Sequence, residues 1–281
     1  MISRRAIVAG LAASAAASAA LAWPLLRGPR PVAIPPPRFP DLAAPPLTPP
    51  ALLFPAVFGL RRVLVDPGHG APGNAGNRSS YCIDEQDFTL RAARALADRL
   101  RDTGHFDVRL ARDGDARVDY RARVEDAARW GAEVFLSLHS DVRGATGERW
   151  SPEPGSDCPT SLAAPGFSVL WSDEGAPALC AQRHALARAL ARRMCETGFV
   201  AYGGVEYGDL YAVDPDSPGV FVDRHAPDQR IFVLRRTAMP SALIETHHAL
   251  DPREARRWEE PSTHDAFAAA VAAALIEALG T

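Results

Sequence analysis

Four side chains in this 281-residue chain sit where metal-assisted hydrolysis would need them: His69, Glu85, His139 and Glu245. His69 follows the apolar run Val63-Leu64-Val65 and the stop Asp66-Pro67-Gly68, in which Pro67 cannot donate to a ladder and Gly68 permits a tight turn. His139 lies near the end of a second apolar run, EVFLSLHS (133–140), and Glu245 near the end of a third, SALIET (241–246). Runs of this length and composition read as buried strands, and open α/β sheets build their sites just beyond strand carboxyl ends. Glu85 closes the loop after His69 and opens a helix, within reach of the same edge. Two imidazoles and a carboxylate with one open position form the donor set of a catalytic zinc site. The other carboxylate is then free to act as a base. The reaction that needs such a set is amide hydrolysis, because an amide carbonyl is a poor electrophile and neutral water a poor nucleophile. Zinc polarises the first and lowers the pKa of the second from about 15.7 to about 7. One His at a strand end is ordinarily structural, and Glu245 alone could be a salt-bridge partner. Three strand ends carrying such groups point to a metal site.

The elements that must position these groups follow from periodicity. The loop APGNAGNRSSYCID (71–84) has turn chemistry and no apolar period. Phe88, Leu90, Ala92, Ala93, Leu96, Ala97 and Leu100 then share one side of a helix that Gly104 ends. A strand is predicted over 107–110, an amphipathic helix over 117–130 stopped by Gly131, and an inserted loop over 141–166. Further on come a strand at 167–171, a helix at 178–197, a second long loop at 201–228 and a short strand at 230–235. An Ala-rich helix over about 263–279 closes the chain. The expectation is one α/β domain, a mostly parallel twisted sheet flanked by helices on both faces, with its active site at the carboxyl ends of the strands.

The composition, 47% hydrophobic and 23% charged, is that of an ordinary soluble protein, and a net charge of −3 argues against nucleic acid as the main partner. Cys82, Cys158, Cys180 and Cys195 contain no CxxC spacing, which argues against a structural zinc finger; if oxidised, they allow three pairings. At the start, Ser3-Arg4-Arg5 precedes an uncharged Ala-rich stretch, and Ala20-Leu21-Ala22 offers a small-x-small cleavage site. Residues 1–27 therefore read as a twin-arginine export signal, with an uncleaved anchor as the alternative. The prolines of 28–57 make an extended, semi-rigid linker, so the folded domain is placed at 58–281. The expected location is the periplasm or cell envelope, with no membrane association after cleavage.

At this point the motifs VLVDPGHG (63–70), EQDFTL (85–90), VRLARDGD (108–115), AEVFLSLHSD (132–141) and VLRRTAMPSALIE (233–245) resemble, in order, those of the zinc-dependent N-acetylmuramoyl-L-alanine amidases, cell-wall hydrolases whose first strand ends in DPGHG. The resemblance spans 61–279. It implies His69, Glu85 and His139 as ligands of one zinc ion, and Glu245 as the catalytic acid/base. The implied reaction is hydrolysis of the amide joining N-acetylmuramic acid to the L-alanine of the peptidoglycan stem peptide, in wall remodelling or cell separation. A monomer is expected.

Three features depart from the family pattern. Glu245-Thr246-His247-His248 replaces E-x-G-F; strand alternation would put His247 on the face of Glu245, touching substrate or the metal-bound water, with a packed or solvated ring as the weightier alternative. Asp141 stands where Asn is common, adding negative charge near the metal. The 141–166 and 201–228 inserts exceed the family minimum, and if they cover the groove a protein activator would be needed. Asp66 is a candidate to orient a ligand from behind. Arg112 and Arg123 are expected in structural ion pairs, while His105, His184, His225 and His264 lack matching partners. Two other readings stay open: a zinc carboxypeptidase or other amidohydrolase on wall peptides, and a non-catalytic peptidoglycan-binding protein. The presence of all four chemical groups speaks against the latter.

Overall fold

The computed structural model describes residues 46–114 and 117–280; residues 1–45, with the expected export signal and the first part of the expected linker, and Asp115, Ala116 and Thr281 lie outside the described residues. Strand β1 (Arg61–Pro67) forms the heart of a seven-stranded sheet, with Val63, Leu64 and Val65 fully buried. Apolar residues on both faces of one strand require cover on both sides. Helices α1 (Glu85–Asp102), α3 (Pro177–Thr197) and α6 (Pro261–Leu279) supply it on one face, where Val63, Val65, Leu136, Leu138, Val169 and Ile244 point. On the other face α2 (Tyr120–Trp130) and α4 (Phe232–Arg236) pack over Leu64 and Phe135. Helix α6 is long and apolar enough to cross a membrane, but more than half of that stretch is buried against α1 and α3, as befits a core helix.

The remaining strands are β2 (Phe106–Leu110), β3 (Val134–Asp141), β4 (Ser168–Trp171), β5 (Tyr211–Val213), β6 (Val220–Asp223) and β7 (Ser241–His248). They are ordered β2-β1-β3-β7-β4-β6-β5. The first four in that order are parallel, so β1, β3 and β7 end at the same edge; β4 runs antiparallel to β7. Helix α5 (Pro252–Arg257), which periodicity did not indicate, begins at Asp251, whose carboxylate accepts from the Arg253 and Glu254 amides.

Several expectations are corrected. Helix α2 starts at Tyr120 rather than 117, because the Asp119 side chain caps it through the Ala122 amide. The stretch 201–228 is not wholly loop: it holds β5 and β6, strands of three and four residues that pair antiparallel at the sheet edge. The predicted strand at 230–235 is mostly the short helix α4; the Ile231 amide is fixed on the Asp223 carboxylate (2.7 Å) and helical turns follow. The described end of the linker is not free chain. Leu47, Leu52 and Phe54 pack against the core, the Thr48 amide donates to the Thr197 carbonyl (2.8 Å), and Phe54 stacks on His105.

Asp66 and Arg123 form a buried ion pair at 2.9 Å, with Arg123 fully buried and Asp66 1% exposed. Ser137 donates to the second Asp66 oxygen (2.7 Å), and Arg123 also donates to the Pro67 and His69 carbonyls. Asp66 thus holds the backbone beneath His69, not its ring. Removing one partner of such a pair strands the other charge. Arg123→Met is expected to lower stability by about 3–5 kcal/mol, read as a shift in the urea midpoint. Arg112, expected in an ion pair, instead donates to the carbonyls of Pro67, Gly68 and Gln86.

Candidate metal centre

His69, Glu85 and His139 come together at the shared strand edge, and their ligand atoms all lie within 4.8 Å of one another. Glu85 is 3% exposed, its two oxygens facing different imidazoles: Oε2 lies 3.0 Å from His69 Nε2 and Oε1 lies 3.0 Å from His139 Nδ1. The carboxylate is held from behind. The Asn77 amide (3.0 Å) and Asn77 Nδ2 (2.7 Å) donate to Oε2, and the Ser140 amide (3.0 Å) donates to Oε1. Burial opposes the charge on Glu85, but the two histidines hold its carboxyl well below the usual range. For His69 burial again opposes ionisation, yet the Glu85 carboxylate leaves the ring with a net raised pKa.

The turn that delivers His69 is unusual. His69 has φ 58°, in the left-handed region that side chains disfavour, and its carbonyl is fixed by Arg123 at 2.5 Å. Asn74 Oδ1 lies 2.8 Å from His69 Nδ1 and accepts its proton, so that Nε2 is the ring nitrogen turned toward Glu85. Asn74 is itself anchored by donating to Tyr120 Oη (2.9 Å). These two asparagines, Asn74 and Asn77, were not singled out from the sequence; their signal was the GNAGN spacing between His69 and Glu85.

Two nitrogens and one carboxylate oxygen are a zinc-type donor set, and glycines stand where any side chain would collide with it. A Cβ at Gly68 would lie 2.4 Å from His139 Nε2, and one at Gly76 would lie 2.6 Å from Glu85 Oε2. The residues present fit a metal ion.

Glu245 stands opposite His139 in the β3–β7 register. Its Oε2 is shut off from solvent and has no hydrogen-bond partner among the described residues. Burial, then the charges of Asp141 and Glu85, push its carboxyl well above the usual range. The extra charge of Asp141 is answered locally: Arg143, 2% exposed, meets it at 2.8 Å, and Tyr207 donates to it at 2.7 Å. Arg143 also lies over the Tyr202 ring at 3.7 Å, so this one group joins the two inserted segments at the rim. A disulfide between Cys82 and Cys158 ties the 141–166 insert to the loop entering Glu85, while Cys180 and Cys195 are free thiols.

His247 does not share the face of Glu245. The register slips by one residue, from His139 opposite Glu245 to Asp141 opposite His248, so β7 carries a bulge that breaks alternation. His247 is 2% exposed, stacked on Trp258 and edge-on to Phe88. Burial, then the neighbouring His248 and Arg143, press its pKa down to about 3. Unfolded, the ring would accept a proton near 6.5; folded, it does not. The unfolded state therefore binds the extra proton across that window, and stability falls as pH drops from 6.5 toward 3. The slope is about 1.4 kcal/mol per pH unit for one proton. His247→Phe is expected to remove one proton's worth of that slope, measured by denaturant midpoints at pH 6.5, 5.5 and 4.5. Equal slopes for both proteins would contradict the packed, neutral ring. His184 and His225 are engaged by Asp214 (2.6 Å) and Asp223 (2.8 Å), away from the cluster.

Comparison with known proteins identifies the family. The Amidase_3 family model, described as N-acetylmuramoyl-L-alanine amidase, matches residues 63–277. The chain is 35% identical over 101 residues to the N-acetylmuramoyl-L-alanine amidase CwlM of Bacillus licheniformis, covering 36% of this chain and 39% of that protein. It is 26% identical over 230 residues to the N-acetylmuramoyl-L-alanine amidase AmiA of Escherichia coli, covering 78% of this chain and 76% of that one. The fold is shared with the crystal structure of the N-acetylmuramyl-L-alanine amidase Ami1 from Mycobacterium smegmatis, at TM-score 0.60 and 18% identity over 78% of this chain and 97% of that one. With a family match that runs from β1 into α6, the chain belongs to the N-acetylmuramoyl-L-alanine amidase family.

Proposed function

We propose that this protein is a zinc-dependent hydrolase of peptidoglycan, cleaving the amide between N-acetylmuramic acid and the L-alanine of the stem peptide. The observation that carries the reading is the His69–Glu85–His139 donor cluster with the Glu245 carboxyl, whose Oε2 has no hydrogen-bond partner among the described residues, at the same strand edge. His69, Glu85 and His139 would hold zinc, and Glu245 is the acid/base. When bound, zinc supplies Lewis acidity toward the amide carbonyl and makes water nucleophilic at neutral pH. Glu245 takes a proton from the attacking water and passes it to the muramoyl-alanine nitrogen as the C–N bond breaks, leaving a lactyl carboxylate on the sugar and a free alanine amine. Asn74 and Asn77 hold His69 and Glu85 in place through the cycle. Residues 1–27 are proposed to direct twin-arginine export, which would bring the domain to its substrate in the envelope. The protein would act as a monomer, and the inserts at its rim are the place where an activator would act.

The test is peptide release from purified peptidoglycan by the full chain. One bound zinc, loss of release with a chelator and recovery on adding zinc are expected. Release undiminished after zinc is removed would refute the assignment.

A further inference from the structure

On the flank of the domain, between α2 and α4, lies a cavity of about 470 Å³ that the chemistry above does not use. Its wall carries three guanidinium groups, Arg121, Arg235 and Arg236, against one carboxylate, Glu125. The Phe232 ring stands among them, with Arg121 at 5.9 Å and Arg235 at 5.8 Å from its centroid. Contact with a ring face limits the wandering of a long side chain and holds its charge in place. Glu125 does not balance the three, since its own nearest cation is Arg129 at 3.7 Å. Arg121 and Arg236 are exposed and make no ion pair among the described residues. Arg235 reaches Glu174 only at 3.9 Å, and its Nε is buried without a hydrogen-bond partner. This is a preformed concentration of positive charge on a chain of net charge −3. Guanidinium forks match carboxylates in geometry and charge.

We infer that this cleft is a second, non-catalytic site that binds a carboxylate of a stem peptide adjacent to the one being cleaved. The inference rests on the peptidoglycan reading above. Stem peptides carry free carboxylates at intervals along the polymer, so one site would hold the polymer while the other cuts it. A soluble fragment with a single stem peptide can occupy only one of the two.

The test uses the full chain and the double variant Arg121→Ala/Arg236→Ala, both positions being exposed and outside the proposed catalytic cluster. Co-sedimentation with insoluble peptidoglycan is expected to weaken about tenfold in the double variant, with a shallower salt dependence. On a soluble disaccharide–tetrapeptide, kcat/KM is expected to change less than about twofold. On wall material whose carboxylates have been esterified, the two proteins should bind alike. Equal binding to untreated wall would overturn the site, and a difference that survives esterification would overturn its carboxylate ligand. A wild-type protein that binds wall through these arginines yet never cleaves the soluble fragment would instead overturn the amidase reading, keeping the two failures apart.

Discussion

Glu245→Gln is expected to lower the turnover number for stem-peptide release by about 10³-fold while leaving zinc content and fold unchanged. Glutamine matches glutamate in size, so the β7 edge and its register with His139 persist. What disappears is the ability to accept a proton from water and return it to the leaving nitrogen. The position is suited to that task because Oε2 has no competing hydrogen bond and burial raises the affinity of the carboxyl for a proton. A negative charge held beside those of Asp141 and Glu85 is also a cost to the folded state. The variant is therefore expected to be at least as stable as the parent in urea. Zinc-loaded E245Q that cleaves at the parental rate would remove Glu245 from the mechanism.

Glu85→Ala is expected to abolish zinc retention through gel filtration, with affinity reduced more than about 100-fold and release lost with it. The change removes a ligand oxygen and leaves the Asn77 and Ser140 amides without their acceptor. It also leaves His69 and His139 without the carboxylate that each faces at 3.0 Å. Stranded buried donors cost about 1–3 kcal/mol apiece. A drop of several kcal/mol in urea stability should accompany the metal loss, even in the presence of a chelator. Full zinc occupancy in E85A would place the ligands elsewhere.

Much of this arrangement was legible in the chain because it depends on buried parallel strands, whose apolar runs stand out. β1, β3 and β7 were found where Val63–Val65, 133–140 and 241–246 predicted them, and with them the common edge that carries His69, His139 and Glu245. Strands β5 and β6 escaped because their three and four residues stand among the Gly, Asp and Pro of 203–219, which read as loop. The segment at 230–235 misled because Ile231 and Val233 suit a strand, whereas its conformation is set by a distant contact with Asp223. For His247 the packed alternative holds and strand alternation fails, because a bulge is a property of two strands in register and no alternation rule on one strand contains it. Asn74 and Asn77 were hidden among turn-forming residues, where asparagine is ordinary; only the folded loop shows one on His69 and the other on Glu85. The cysteine pairing likewise needed the approach of the 141–166 insert to the first loop, and no spacing rule selects Cys82–Cys158 from the three possibilities.

The most direct test of the central claim is mass analysis of the products that the zinc-loaded full chain releases from purified peptidoglycan. Intact stem peptides beginning with a free L-alanine amine, together with glycan chains bearing unsubstituted muramic acid, are the expected products. Release of single amino acids from the peptide termini, or no release from protein holding one zinc per chain, would contradict an amidase that cuts the muramoyl–alanine bond.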